Sequence, residues 1–320
     1  TVELTPYIDG DVKNEDANYN EKFWNILESK AGEGEAWLLT QTKKLDFTVG
    51  VSMRYALTLD SKPMDVHPAM VELAGLSGNT VVTDLPAGKE LTLYKFAAVL
   101  SNLNHPADEL IVRSRQVSEM ALRKGFYQLL EDHKKQWARI WSHSDIVIKG
   151  DPEAQQGIRF NIFQLNQTYN GKDDRLNIGP KGFTGEKYGG STYWDTEAYC
   201  IPFFVATAPP EVTRKLLLYR YRHLPKAIEN ARKLGFTGGA ALYPMVTMNG
   251  EECHNEWEIT FEEIHRNGAI AFAIYNYVRH TGDVQYLADY GLEVLIAIAR
   301  FWAQRATWSQ VKKQYVILGV

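Results

Sequence analysis

The chain has 320 residues, of which 45% are hydrophobic, 23% charged and 12% aromatic. This length accommodates one large domain or two ordinary ones, and it buries enough surface to hold a core without disulfides or a structural metal. The formal net charge of −4 excludes the strongly basic surface by which proteins bind nucleic acid or anionic membranes.

The cysteine content points to a reducing compartment. Only Cys200 and Cys253 are present, which excludes a disulfide framework and the spacing of a zinc site. No apolar run reaches the length of a membrane span, so we predict a cytoplasmic protein. The chain begins without Met and ends in an apolar run, 315–320, so we also predict that it is a fragment of a longer protein.

The N-terminal third is predicted to be the later part of an antiparallel β-sandwich, over 1–104. Short runs of β-branched and aromatic residues are separated by turn signals. These strand-like segments are 36–39, 47–59, 80–84 and 90–100. The polar segment 7–25 has no clean period and predicts loop with some strand.

The period lengthens to that of helices after Pro106. We predict a helical linker over 105–145, followed by a helical domain over 146–320. Helices are predicted over 153–167, 210–224, 264–278 and 283–306, with Asp283 as an N-cap and Gly282 as a stop. Segment 264–278 is apolar nearly all round, whereas others are apolar on one side, which favours two concentric helical layers.

The most informative segment is the glycine-rich run 181–197. Its four glycines suit a loop that approaches a ligand, and Tyr193 and Trp194 lead directly into Asp195 and Glu197. A sugar ring stacks its C–H face on an indole and donates its hydroxyls to a carboxylate, so this combination favours carbohydrate chemistry. The alternative is that Asp195 caps a helix beginning at Thr196, and the sequence leaves both roles open.

A second polar cluster occupies 250–265, with six carboxylates and two histidines. The spacing does not match a metal site, but crowded carboxylates raise the pKa of at least one member, as a general acid requires. The alternative places Glu262 and Glu263 in the first turn of the next helix, which we favour for Glu263. His254, Asn255 and Glu256 are better placed to bind ligand hydroxyls. Neither cysteine has an identifiable base, which argues against a thiol nucleophile.

Together the two clusters resemble glycoside hydrolase family 65 and, within it, the group that phosphorolyses maltose. The matching segments are 182–190, 193–197, 217–222, 254–262 and 281–283. The resemblance implies a β-sandwich, a helical linker and an (α/α)6 barrel, of which 146–320 is the first part. It also implies a homodimer that needs no metal or organic cofactor, with inorganic phosphate as co-substrate.

The resemblance further implies which residues bind the substrate. Trp194 and Asp195 hold the non-reducing glucose, Glu197 belongs to the same motif, and 254–262, including His254, Asn255 and Glu256, shapes the acceptor subsite. The family's general acid, a glutamate, follows a strand that resembles 316–320. We therefore expect it just beyond Val320, assign no catalytic residue within this chain, and expect the chain alone to be inactive.

For the whole protein, the resemblance implies inverting phosphorolysis of maltose to β-D-glucose 1-phosphate and D-glucose. Kojibiose or trehalose phosphorylases and glycoside hydrolases of the same fold are the alternatives within enzymes. A non-catalytic carbohydrate-binding protein is the alternative from another class. A purely structural helical scaffold leaves the Trp194–Asp195 pair without explanation.

Overall fold

A computed structural model describes residues 1–13, 22–180, 182, 190–253 and 258–318, with only the backbone for Phe261. Contacts divide the chain into two compact units, Thr1–Trp137 and Ala138–Val320. The three-part division at residues 104 and 145 stays a prediction.

The first unit contains two antiparallel sheets, as the alternating patterns predict. In the five-stranded sheet the order is β3–β4–β5–β6, and β9 pairs with β5; in the four-stranded sheet β8 pairs with β1, β2 and β7. The strands are β1 Val2–Leu4, β2 Tyr7–Asp9, β3 Trp24–Gly32, β4 Glu35–Thr42, β5 Thr48–Leu59, β6 Lys62–Pro63, β7 Ala69–Leu73, β8 Leu76–Thr83 and β9 Leu91–Ser101.

Side chains from both sheets share a core. Ile8 of β2 packs with Ala36 and Leu38 of β4 and Met53 of β5, and all four are buried. The alternation of buried and less buried positions along β4 is what a strand with one covered face requires. The predicted fold class, an antiparallel β-sandwich followed by a helical region, is confirmed.

The first helix, α1 (Leu110–Lys124), packs against the five-stranded sheet. A Cβ added to Gly50 would lie 2.8 Å from Cβ of Leu110, so the glycine permits close approach of helix and strand. Arg115 lies over the Trp37 ring at 4.2 Å, and its Nε donates to Glu35 at 3.2 Å. The first half of the predicted linker is therefore part of the sandwich unit.

Helices dominate the second unit. They are α2 Phe126–Ser144, which crosses the division, α3 Pro152–Thr168, α4 Ile201–Thr207, α5 Pro210–Arg222, α6 Leu224–Lys233, α7 Ile259–Glu262, α8 His265–Thr281, α9 Val284–Tyr286 and α10 Leu292–Arg305. A short hairpin follows, β10 Thr307–Ser309 with β11 Gln314–Val316. Two local predictions are confirmed: Asp283 accepts from the Tyr286 N–H at 2.9 Å, and Gly282 ends α8 with a φ of 70°.

The core of this unit forms around α8, which contributes Ile270, Ile274 and Tyr277. Helix α8 does not have the all-round burial that its apolar sequence predicts, because Phe272 and Tyr275 are 53% and 54% exposed. Among the described residues, every helix is too short or too polar to cross a bilayer.

Candidate functional site

Trp194 and Asp195 lie where an extended loop enters a helix. The chain forms one π-helical turn, Thr196–Cys200, before α4, and such turns occur frequently at functional sites. Asp195 occupies the N-cap position but has helical backbone angles, and its side chain makes no capping hydrogen bond. The capping alternative is therefore wrong. The half-buried carboxylate has no hydrogen-bond or ion-pair partner in the described part of the chain.

The Trp194 ring connects the two polar clusters of the sequence. It lies nearly perpendicular to the imidazole of His265, with ring centroids 4.7 Å apart, and Tyr199 is a second ring neighbour at 5.7 Å. His265 is the first residue of α8 and is exposed, so an indole and an imidazole meet at a partly open surface, and Asp195 follows the indole directly in the sequence. These are groups that bind a sugar through stacking and hydrogen bonds.

Glu197 is completely buried and forms an ion pair with Arg220 of α5. The guanidinium donates from Nε to Oε1 at 2.7 Å and from Nη2 to Oε2 at 2.9 Å. The same Nη2 also donates to the carbonyl oxygen of Tyr193 at 3.2 Å. Arg220 therefore fixes the chain on both sides of the Trp194–Asp195 dipeptide.

The Arg220 side chain is rigidly held. Burial alone lowers the pKa of the guanidinium, but the Glu197 carboxylate outweighs that effect and the pKa is raised, so the group stays charged. The backbone of Arg220 is also fixed, because Tyr243 donates its hydroxyl to the Arg220 carbonyl at 3.0 Å. A buried bidentate pair has few alternative geometries.

A second loop is joined to the Trp194 loop by main-chain bonds. The Thr192 N–H donates to the Thr247 carbonyl at 2.7 Å, and the Thr247 N–H donates back at 3.0 Å. The Glu252 carboxylate accepts from the backbone N–H groups of Met245 at 2.6 Å and Val246 at 3.1 Å. Glu252 therefore organises this loop.

Buried Asn267 of α8 anchors the start of the same loop. Its Oδ1 accepts from the Tyr243 N–H at 3.1 Å, and its Nδ2 donates to the Ala241 carbonyl at 2.8 Å. The main chain that leads into the second polar cluster is therefore held by hydrogen bonds to the first turn of α8.

Several predicted positions lie outside the described residues, namely His254, Asn255, Glu256 and the glycine-rich residues 183–189. The prediction for Glu263 is wrong. Helix α7 ends at Glu262 and α8 begins at His265, so Glu263 precedes the N-cap instead of lying in the first turn. Its carboxylate is 3.9 Å from Nε2 of His265.

Cys200 and His223, the histidine that follows Arg220 by three residues, lack the properties of reactive groups. Burial, with Glu197 and Asp195 adding to it, raises the pKa of Cys200 to about 12. Burial also lowers the pKa of His223 to about 4, assisted by Arg220 and Lys226. In the described part of the chain, no three His, Cys, Asp or Glu side chains converge as metal ligands would.

Arg220 and His265 were not singled out from the sequence. A signal existed for Arg220, because it follows Leu216 and Leu217 at the spacing of one helical face, and both leucines are buried. An arginine on a buried face requires a carboxylate or carbonyl partner. His265 offers no such signal, since its contact with Trp194 depends on tertiary packing.

Trp194 and Asp195 are both half-buried. Four cavities of about 280 to 540 Å³ are lined by described residues, and neither Trp194 nor Asp195 lines any of these four.

Both parts of the chain match domains of one protein family. Residues 1–140 match the N-terminal domain of glycosyl hydrolase family 65, and 159–320 match the central catalytic domain of that family. A maltose phosphorylase of Bacillus subtilis (strain 168) is 47% identical over 319 residues, which is 100% of this chain and 41% of that protein. An alpha,alpha-trehalose phosphorylase of Thermoanaerobacter brockii is 34% identical over 97% of this chain and 40% of its own length.

A solved structure has the same fold. A putative kojibiose phosphorylase from the human microbiome superposes with a TM-score of 0.85 at 26% identity, over 99% of this chain and 41% of that one. The chain therefore spans about two fifths of the length of these relatives.

Proposed function

The chain belongs to glycosyl hydrolase family 65, and from this membership we propose that the whole protein is an inverting disaccharide phosphorylase. The proposed reaction converts maltose and phosphate to β-D-glucose 1-phosphate and D-glucose. The similarity to a maltose phosphorylase over all of this chain supports maltose as the substrate. Because the chain spans about two fifths of that relative, the activity is assigned to the whole protein.

One observation carries the proposal: Asp195, which follows Trp194 directly in the sequence, is half-buried and makes no capping bond. A carboxylate that has no partner among the described residues can accept hydrogen bonds from two adjacent sugar hydroxyls, while an indole covers the apolar face of the ring. A ring held in this way contributes to catalysis if the hydroxyl bonds strengthen as the ring flattens toward an oxocarbenium-like transition state.

The chemistry requires one acid and a nucleophile. An inverting hydrolase uses a second carboxylate to activate water on the face opposite the leaving group. Phosphate is already anionic, so a phosphorylase replaces that base with a phosphate-binding pocket. We propose that the general acid and the phosphate-binding residues belong to parts of the whole protein outside these 320 residues. We also propose that the protein is a homodimer and requires no metal or organic cofactor.

Glu197 has a positioning role in this proposal. It is 0% exposed and both its oxygens accept from Arg220, so direct contact with a sugar would require the ion pair to open. Through Arg220, which also binds the Tyr193 carbonyl, Glu197 holds Trp194 and Asp195 in place. His254, Asn255 and Glu256 are proposed to contact the acceptor sugar.

The test is to incubate the whole protein with maltose in the presence and absence of phosphate. We expect β-glucose 1-phosphate and glucose in equal amounts, and no glucose without phosphate. Release of glucose that is independent of phosphate would assign a hydrolase, and sugar binding without turnover would assign a carbohydrate-binding protein. Parallel reactions with trehalose and kojibiose test the other specificities found among the relatives.

A further inference from the structure

A cavity of about 300 Å³ lies in the sandwich unit, within Thr1–Trp137. Its walls come from β5, β9, the turn after β5 and the junction between α1 and α2. Gly125 separates the two helices with a φ of 79°, which turns the start of α2 toward the sheet. The volume is at the lower end of the range for small-molecule sites.

Three aromatic rings form one side of this cavity. Tyr94 of β9 is 5.7 Å from Phe126 and 6.3 Å from Tyr127, and the latter two are 5.5 Å apart. The contact between Tyr94 and Phe126 packs the start of α2 against the sheet, which accounts for these two rings structurally. Tyr127, in contrast, is 69% exposed, so most of its ring surface is open to solvent.

The polar groups of the cavity are hydroxyls. Four of the nine lining residues carry one, namely Thr58, Ser61, Tyr94 and Tyr127, and all nine are uncharged. The buried Thr58 Oγ1 has no hydrogen-bond partner in the described part of the chain. Because this atom has almost no accessible surface, the hydroxyls open to a ligand are those of Ser61, Tyr94 and Tyr127.

We propose that this cavity is a second, non-catalytic binding site for a neutral saccharide of one or two hexose units. An uncharged lining excludes selection for a phosphorylated or acidic sugar, and exposed rings beside hydroxyls match the alternating apolar and polar faces of a hexose. The residues belong to the sandwich unit, whereas Trp194 and Asp195 belong to the other unit. The proposal therefore stands independently of the proposed reaction.

The experiment is a titration of the 320-residue chain with maltose, followed through backbone amide NMR shifts. An Asp195→Ala background removes a carboxylate of the candidate catalytic site. We expect saturable shifts at 56–61, 94–96 and 122–127. Tyr127→Ala is expected to weaken this binding at least about tenfold, because it removes the exposed ring. Tyr127→Phe, which keeps the ring, is expected to weaken it less.

Tyr275→Ala is the matched control, since Tyr275 is also an exposed tyrosine, at 54%, and lies on α8 in the other unit. It is expected to leave the shifts unchanged. Absence of saturable shifts in these segments, or equal affinity in wild type and Tyr127→Ala, would overturn the proposal. Sedimentation gives a further criterion: self-association that Tyr127→Ala abolishes and maltose does not affect would make the cavity a contact between two copies.

Discussion

Arg220 and Glu197 form a buried bidentate ion pair that brackets the residues proposed to hold the sugar. The two residues are 2% and 0% exposed, and the same guanidinium binds the carbonyl one residue before Trp194. The pair therefore supports both the fold and the site. Its two effects are separable, because stability is measurable on this chain and catalysis on the whole protein.

Glu197→Gln is expected to reduce the free energy of unfolding by about 3–5 kcal/mol, because it leaves the Arg220 charge buried without a counter-charge. The measurement is urea denaturation of the 320-residue chain. The double variant Glu197→Leu/Arg220→Met is expected to lose less than the sum of the two single variants, since no unpaired charge remains. Asp145→Asn, which breaks the more exposed pair with Arg159, is the control and should cost under about 1 kcal/mol. Equal losses in Glu197→Gln and Asp145→Asn would contradict the assigned role.

Asp195→Ala is expected to lower kcat/KM for phosphorolysis by the whole protein at least about 100-fold, because charge-assisted hydrogen bonds to the sugar are lost. The stability of the chain should change by less than about 0.5 kcal/mol, since the carboxylate neither caps the helix nor pairs with a described residue. Asp108→Asn, at an exposed aspartate of the sandwich unit, controls for loss of one negative charge. Near-normal turnover by Asp195→Ala would remove this residue from the site.

His223 gives a prediction for pH. Its pKa is lowered from 6.5 to about 4 in the folded protein by burial and by Arg220 and Lys226. The unfolded chain therefore binds more protons between those values, and the His223 contribution to stability falls as the pH drops from about 6.5 toward 4. The unfolding free energy of wild type minus that of His223→Phe should therefore be lower at pH 5 than at pH 7, because only wild type loses this contribution. A constant difference across that range would show that the imidazole does not titrate differently on folding.

The two cysteines should differ in reactivity. The pKa of Cys200 is raised to about 12 by burial, then by Glu197 and Asp195. Burial also raises the pKa of Cys253, but this cysteine is exposed, whereas Cys200 is half-buried. Because the thiolate is the reactive form, iodoacetamide at pH 8 should label Cys253 at least about tenfold faster in the folded chain. Peptide mass spectrometry distinguishes the sites, and Cys253→Ser should resist labelling. Rapid labelling of Cys200 in that variant would mean that the π-helical turn opens readily.

Two glycine-to-alanine substitutions should change the free energy of unfolding in opposite directions. Gly50→Ala places a Cβ 2.8 Å from Leu110 Cβ, so helix and strand must separate, and a loss of about 1–3 kcal/mol is expected. Gly157→Ala lies within α3 with open space around the added carbon, and should gain up to about 1 kcal/mol. Thermal unfolding of both variants beside wild type provides the measurement. Stabilisation by Gly50→Ala would contradict the close packing of α1 on the sheet.

The sequence predicted those features whose cause is local. The Asp283 cap and the Gly282 stop depend on groups within a few residues of each other, and both were identified correctly. The strand pattern of 47–59 was clear because a covered sheet face imposes a period of two.

The features that the sequence did not predict depend on tertiary packing. Glu197 and Arg220 are 23 residues apart, and nothing in their spacing specifies a contact. The Glu263 prediction failed because the chain forms a separate helical turn, α7, that ends at Glu262, and α8 begins only at His265. The N-cap of α8, Ile264, has no side chain that could form a capping hydrogen bond, so the sequence does not mark this start. The Trp194–Asp195 motif indicated carbohydrate chemistry. The contacts that hold this motif, from Arg220 to Glu197 and to the Tyr193 carbonyl, required the three-dimensional structure.

The reciprocal bonds between Thr192 and Thr247 have a consequence for engineering. Because the two segments are hydrogen-bonded through their main chains, a replacement that changes the length or backbone path of one would displace the other. A chimaera designed to accept a different disaccharide should therefore transplant both segments together.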